Sequence, residues 1–372
     1  MASSRVGRRQ HQFPNTITIP WSRNRLRFRF SSRRVIRTII ISLALVAILP
    51  PIFFHFRLRR LHQIQLRKCG WLLDPPLVCA HGGDSSKAFP NTVCILDASN
   101  SSCSLYSSTS HGHFFQEMIR PFPFENFRIL MAAYSSALRS QVDCIEIDVS
   151  RSSDGVLFAL HDRDLQRISG NTSSKVGHFS TNKIREFSAL HQSVGKFNDE
   201  SIATLEEALK VTANSVRQII LDAKVGPPLY EKGLARDILS IVERTECGNC
   251  LIWAKSDSLA RDVIKLSSDT TVGYIVMIDP STGARTNLLR MKGAEVVGVY
   301  HPLIDEKLVK VLHRRKKKVY AWTVDDVESM RRMLSEHVDA VVTSNPTLLQ
   351  SLMQDTRTQC LEEDSELNTF YI

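Results

Sequence analysis

No acidic side chain occurs in the first 73 positions of this 372-residue chain, a stretch that holds 15 Arg and Lys. The formal net charge of +10 is therefore local. Beyond residue 73 the chain keeps 33 of its 48 basic residues against all 38 acidic ones, and is net acidic. No basic stripe with interleaved aromatics occurs there, which argues against a nucleic-acid partner. Formal charge is also missing from Thr38 to Phe56, 19 residues. That is the length of a single bilayer-spanning helix. Pro50-Pro51 is expected to kink or shorten it. The segment starts too far in for an ordinary signal peptide, and no small-x-small cleavage site is evident. The reading is a basic disordered tail over 1–33, a membrane anchor over 34–60 that meets lipid through 38–56, and a neck from Leu61 to Leu73. Ten Arg precede the apolar run and five basic residues follow it. This bias places the N-terminus in the cytosol and the rest in a lumenal or extracellular space, with plastid or mitochondrion as the alternative.

Cysteine is sparse and does not fix the compartment. Cys79 and Cys144 lie in predicted core strands and read as buried thiols. Cys247-Gly248-Asn249-Cys250 reads as a local loop that a bridge could close. Asn100-Ser101-Ser102 and Asn171-Thr172-Ser173 are glycosylation acceptors only in a lumenal orientation.

From Leu77 onward, eight short apolar runs read as parallel strands: Leu77–His81, Cys144–Val149, Ile219–Lys224, Cys250–Ala254, Val272–Met277, Val296–His301, Val319–Thr323 and Ala340–Ser344. Helical stretches separate most of them, one starting after a Thr204 cap. The expected fold is α/β, a (β/α)8 TIM barrel over 77–352, preceded by the single transmembrane helix and followed by an acidic tail over 353–372. Residues 93–130 break the pattern with a Ser-rich irregular insert. Without it, Asn91 or Thr92 would cap a helix carrying Met131, Tyr134, Ala137 and Leu138. The expectation is a retained intron whose deletion stabilises the barrel; the alternative is a genuine lid loop.

Chemistry concentrates at strand ends. Glu146 and Asp148 alternate along one strand and so share a side. The turn from Ser150 to Gly155 is too short for a crossover, so Val156–Leu160 must return beside that strand and deliver His161-Asp162 to the carboxylates. Other strands end at His81-Gly82-Gly83, Asp222-Ala223-Lys224 and Trp322-Thr323. Acids and imidazoles converging on one rim suggest metal-assisted hydrolysis. Glu146, Asp148 and Asp222 are hard oxygen ligands suited to Mg²⁺ or Ca²⁺ rather than Zn²⁺. His81 and His161 are the candidate acid–base pair.

These motifs, with Phe89-Pro90-Asn91-Thr92 and Val338–Pro346, resemble the glycerophosphodiester phosphodiesterase family in a plant-type, membrane-anchored form. The resemblance implies a phospholipase C-like phosphodiesterase barrel that releases sn-glycerol 3-phosphate and a free alcohol. It places Lys224 with the catalytic histidines and Gly82 and Trp322 at the substrate. Three departures stand out: Gly82 replaces the family Arg, Asp222 replaces a Glu, and Pro90 replaces a Glu. Rival readings are a weakened ligand-binding barrel and a phospholipase C- or D-like lipid hydrolase. The topology has a direct check. Protease added to sealed vesicles should spare the barrel, and Asn171 should lose mass on deglycosylation; digestion of the barrel in intact vesicles contradicts it.

Overall fold

Short runs of Val, Ile and Leu bounded by polar residues make strands buried on both faces, and the amphipathic stretches between them make the covering helices. The computed structural model describes residues 32–83, 85, 92–96, 128–130, 132–194, 200–227 and 231–369. Among them the strands are β1 Leu77–His81, β2 Thr92–Leu96, β3 Arg128–Leu130, β4 Cys144–Arg151, β5 Leu157–Ala159 and β6 Glu200–Ile202. They continue as β7 Gln218–Ala223, β8 Cys250–Ala254, β9 Thr271–Val276, β10 Val296–Tyr300, β11 Lys318–Trp322 and β12 Ala340–Thr343. The helices are α1 Ser32–Cys69, α2 Ala132–Arg139, α3 Asp162–Ser169, α4 Thr181–Val194 and α5 Leu205–Thr212. After them come α6 Leu234–Arg244, α7 Asp257–Leu266, α8 Glu306–His313, α9 Val327–Ser335 and α10 Pro346–Thr369.

Eight of these strands close a parallel ring in the order β1-β12-β11-β10-β9-β8-β7-β4, with β4 pairing back to β1. This is the expected (β/α)8 barrel. β5 pairs antiparallel with the end of β4, Val149 opposite Ala159, so the hairpin return stands as read from its short turn. Helix starts follow local chemistry: Thr204 and Glu207 form a capping box, and Asp305 and Asp326 cap α8 and α9. Inward side chains, among them Ile220, Leu251, Trp253, Ile275 and Tyr320, fill the ring. A Cβ at Gly298 would come within 2.7 Å of the Trp253 indole, so glycine makes room for the largest interior side chain.

The chain divides inside α1 into compact units Met1–Leu61 and His62–Ile372. α1 is long and apolar enough to cross a membrane, and side chains such as Ile40, Val46 and Phe53 are exposed. It does not shorten at Pro50-Pro51, which lie inside it. Two prolines remove two N–H donors but leave the flanking ladder intact. The expected neck is helical to Cys69 and continues as a 3₁₀ turn with Trp71 buried. Residues 353–372, expected as a tail, belong to α10 as far as Thr369, and Leu352 and Cys360 are buried.

The reading of Cys79 and Cys144 as free thiols is corrected. They face each other in register on β1 and β4 with Cα atoms 4.4 Å apart, and form a disulfide. Cys247 and Cys250 are bridged, and an unforeseen disulfide joins Cys69 to Cys360.

The insert differs from expectation at both ends. β2 pairs antiparallel with β3, from Cys94 opposite Leu130 to Leu96 opposite Arg128, and β2 also pairs with β6. Thr92 is thus a strand residue, and the first barrel helix starts at Ala132 with Tyr134 and Ala137 buried. Thr-Val-Cys-Ile-Leu is a β-prone run that finds partners on both sides. Asn91, Asn100 and residues 97–127 lie outside the described residues. Replacing 97–127 with Asn-Gly, a two-residue hairpin turn, should preserve cooperative thermal unfolding. Deleting 93–130 removes two strands and should lower Tm. Equal Tm for the two deletions would show that the small sheet contributes nothing.

Candidate active site

Ring closure brings β1, β4 and β7 side by side, and their register stacks the site. His81 lies opposite Glu146, and Asp148 opposite Asp222. The carboxylates of Glu146, Asp148 and Asp222 are all buried, with one oxygen from each lying within 4.8 Å of the others. His161, the N-cap of α3, arrives from the end of β5. His81, Glu146, His161 and Asp222, with Lys224 and Trp322, line a cavity of about 70 Å³ at the C-terminal end of the strands. A wider cleft of about 790 Å³ beside Trp71, α9 and α10 carries none of them, so charge rather than volume marks the site.

Electrostatics follow from burying like charges. Burial, then the neighbouring Asp148, pushes the Glu146 carboxyl well above the usual range. Burial also acts to raise Asp148, but Lys224, His81 and His161 outweigh it and hold this carboxyl well below the usual range. The Lys224 ammonium bridges the two aspartates, 2.6 Å from Asp148 Oδ1 and bonded to Asp222 Oδ2. Burial would lower Lys224, yet Asp148, Asp222 and Glu146 raise it far more. Among the described residues, Asp222 Oδ1 is buried without a hydrogen-bond partner. Three close hard oxygen donors, one oxygen lacking a partner, and a carboxyl destabilised by its own charge fit a divalent cation.

The Gly82 N–H is engaged twice with Glu146, 2.9 Å from Oε2 and 3.1 Å from its carbonyl oxygen. Gly82 has a φ of 62°, and a Cβ on the following Gly83 would lie 2.7 Å from the Ala133 backbone. Two glycines therefore let β1 turn tightly into the site. The Trp322 ring lies 5.7 Å from Tyr300 and 5.7 Å beneath the Lys255 ammonium.

Sequence reading missed two cations that line the cavity, Arg163 and Lys255. Lys255 follows β8 directly, so the strand-end criterion that selected Asp222 and Lys224 also points to it. Burial lowers the Lys255 pKa, with Lys224 adding to the effect. Arg163 comes two residues after His161. Its guanidinium Nη2 is 3.2 Å from His81 Nε2, and its backbone N–H donates to His161 Nδ1 at 3.1 Å. Because Arg only donates, His81 Nε2 is the acceptor; His161 likewise keeps its proton on Nε2. Asp162 accepts the Val176 N–H and is structural. His301 follows β10 in a 3₁₀ turn and does not line the cavity.

Residues 130–348 match the glycerophosphoryl diester phosphodiesterase family. The chain belongs to the glycerophosphodiester phosphodiesterase family. The match starts where the insert ends, so β1 and His81 lie outside it, although β1 completes the ring. Glycerophosphodiester phosphodiesterase GDPD4 of Arabidopsis thaliana is 57% identical over 338 residues, covering 91% of this chain and 92% of that protein. A glycerophosphodiester phosphodiesterase of Caldanaerobacter subterraneus is 28% identical over 227 residues, covering 60% and 91%. In fold, the chain is similar to an Oleispira antarctica phosphodiesterase solved with its product sn-glycerol-3-phosphate. That likeness has a TM-score of 0.55 at 19% identity and covers 75% of this chain and 97% of that one.

His161 gives this family member a measurable pH signature. Burial lowers its pKa from the ordinary 6.5 to about 4, with Lys224 and Arg163 adding to the shift and Asp148 opposing it. The unfolded chain takes up that proton first as pH falls. The stability tied to the neutral ring is therefore complete above pH 6.5 and lost between 6.5 and about 4. Without metal, His161→Gln should flatten the fall of unfolding free energy across that window. An unchanged slope would contradict the burial of the neutral ring.

Proposed function

We propose that the barrel hydrolyses glycerophosphodiesters to sn-glycerol 3-phosphate and a free alcohol, with a divalent cation at Glu146, Asp148 and Asp222. The observation that carries this is the buried carboxylate trio, set between two imidazoles at the mouth of a barrel of this family. A phosphodiester needs its charge neutralised, a nucleophile activated and its leaving oxygen stabilised. Mg²⁺ or Ca²⁺ bound to the trio would neutralise phosphoryl charge and acidify a nearby hydroxyl.

The remaining roles fall to the chain's own groups. His81 carries a lone pair on Nε2 and is the base for the attacking hydroxyl, either water or the glycerol's own. His161 carries Nε2–H and donates to the leaving alcohol oxygen. Lys224 keeps Asp148 ionised at neutral pH, is bonded to Asp222, and adds positive charge beside the phosphoryl oxygens. Trp322 walls the alcohol pocket. Gly82 shapes the site by holding Glu146 rather than by offering a side chain.

The test is release of glycerol 3-phosphate from glycerophosphocholine, glycerophosphoethanolamine or glycerophosphoglycerol by the purified protein. His161→Ala should lower kcat by at least about a hundredfold, the scale of a lost donor or acid–base group, with the fold intact although the lost cap lowers Tm slightly. Near-normal turnover in folded His161→Ala protein removes that residue from the site. Failure of the wild type on every diester, with either cation, leaves a ligand-binding barrel as the better reading.

A further inference from the structure

The site lacks an arginine after His81, yet a guanidinium still reaches that histidine. Among the described residues, three cationic side chains line the cavity: Arg163, Lys224 and Lys255. Lys224 is engaged by Asp148 and Asp222. Lys255 lies over the Trp322 ring, on the aromatic side. Arg163 differs from both. Among the described residues its guanidinium makes one hydrogen bond, from Nη2 to the neutral His81 imidazole at 3.2 Å. Its nearest carboxylate oxygens stand off, Asp148 Oδ2 at 4.0 Å from Nη2 and Asp164 Oδ1 at 3.9 Å from Nε. Those separations exceed hydrogen-bond range. A guanidinium offers five N–H donors in a planar fork, so most of this fork is uncommitted at the cavity wall.

The backbone explains why the cation comes from here. Gly82 sits in the left-handed region, with a φ of 62°, which disfavours a larger residue. Its N–H is fixed on Glu146. Arg163 stands in the first turn of α3, immediately after the strand end that delivers His161. A helix terminus holds its stem, while the side chain is 43% exposed.

From this geometry we infer that Arg163 is the phosphate-binding guanidinium of the site, supplied from α3 in place of the arginine absent at position 82. The inference deepens, and rests on, the reading of the cavity as a phosphodiester site. Substrate phosphate draws the fork off His81. The Nε2 lone pair thus becomes available to take a proton only when a phosphate is in place.

The test titrates sn-glycerol 3-phosphate and inorganic phosphate into the full-length protein by calorimetry, with Mg²⁺ present. Arg163→Ala should weaken both by about tenfold or more, the scale of a lost charge-assisted contact, with thermal unfolding unchanged. Arg163→Lys, which keeps charge but not the fork, should fall between. KM for a glycerophosphodiester should rise with the same ranking, and more than kcat falls. Equal affinities in wild type and folded Arg163→Ala overturn the inference, as does a wild type that binds neither anion. Arg163-dependent binding without turnover would instead sink the hydrolysis reading and leave this one standing.

Discussion

Three carboxylates packed into a buried barrel mouth are the constraint on which the site depends. Ionised acids at such separations repel, and burial removes the water that would screen them. The molecule answers partly with Lys224, whose ammonium bridges Asp148 and Asp222. One lysine cannot neutralise three acids, and the strain shows at Glu146, whose carboxyl burial and Asp148 push upward. The trio fits a divalent cation, whose charge would complete the balance.

Holding those acids together is the work of the ring. The site residues come from β1, β4, the end of β5, β7 and β11, and only closure of β1 onto β4 and β12 sets His81 beside Glu146. The disulfide between Cys79 and Cys144 lies two residues before this pair on each strand, a covalent tie directly beneath the site. Around the mouth the two imidazoles are differentiated by one residue. Arg163 gives its side chain to His81 and its backbone N–H to His161. One ring accepts at Nε2 and the other keeps its proton there, the asymmetry that the proposed base and donor would require.

Much of this was legible in the residues. The eight strands stand within one or two residues of their sequence limits because each is a short apolar run between polar boundaries. The order of strand-end groups gathered His81, Glu146, His161, Asp222, Lys224 and Trp322 around one cavity, with Asp148 held beside them by Lys224. What escaped depends on three-dimensional neighbours. Pairing of Cys79 with Cys144 needs the β1–β4 register, and pairing of Cys69 with Cys360 joins positions 291 residues apart. Thr92 reads as a candidate helix cap, and residues 93–96 as irregular insert, until their partners on β3 and β6 are known. Arg163 sits in plain view after His161-Asp162, but nothing in its spacing shows that its guanidinium turns back to β1. Lys255 was missed although the strand-end criterion applied to it as well.

The most direct measurement is glycerophosphodiester turnover by metal-stripped protein as Mg²⁺ or Ca²⁺ is added back. The account predicts turnover near background after chelation, saturable recovery in the wild type, and no recovery in Asp222→Asn, whose amide weakens the trio. Undiminished turnover in thoroughly chelated protein would contradict it, and so would full recovery in Asp222→Asn.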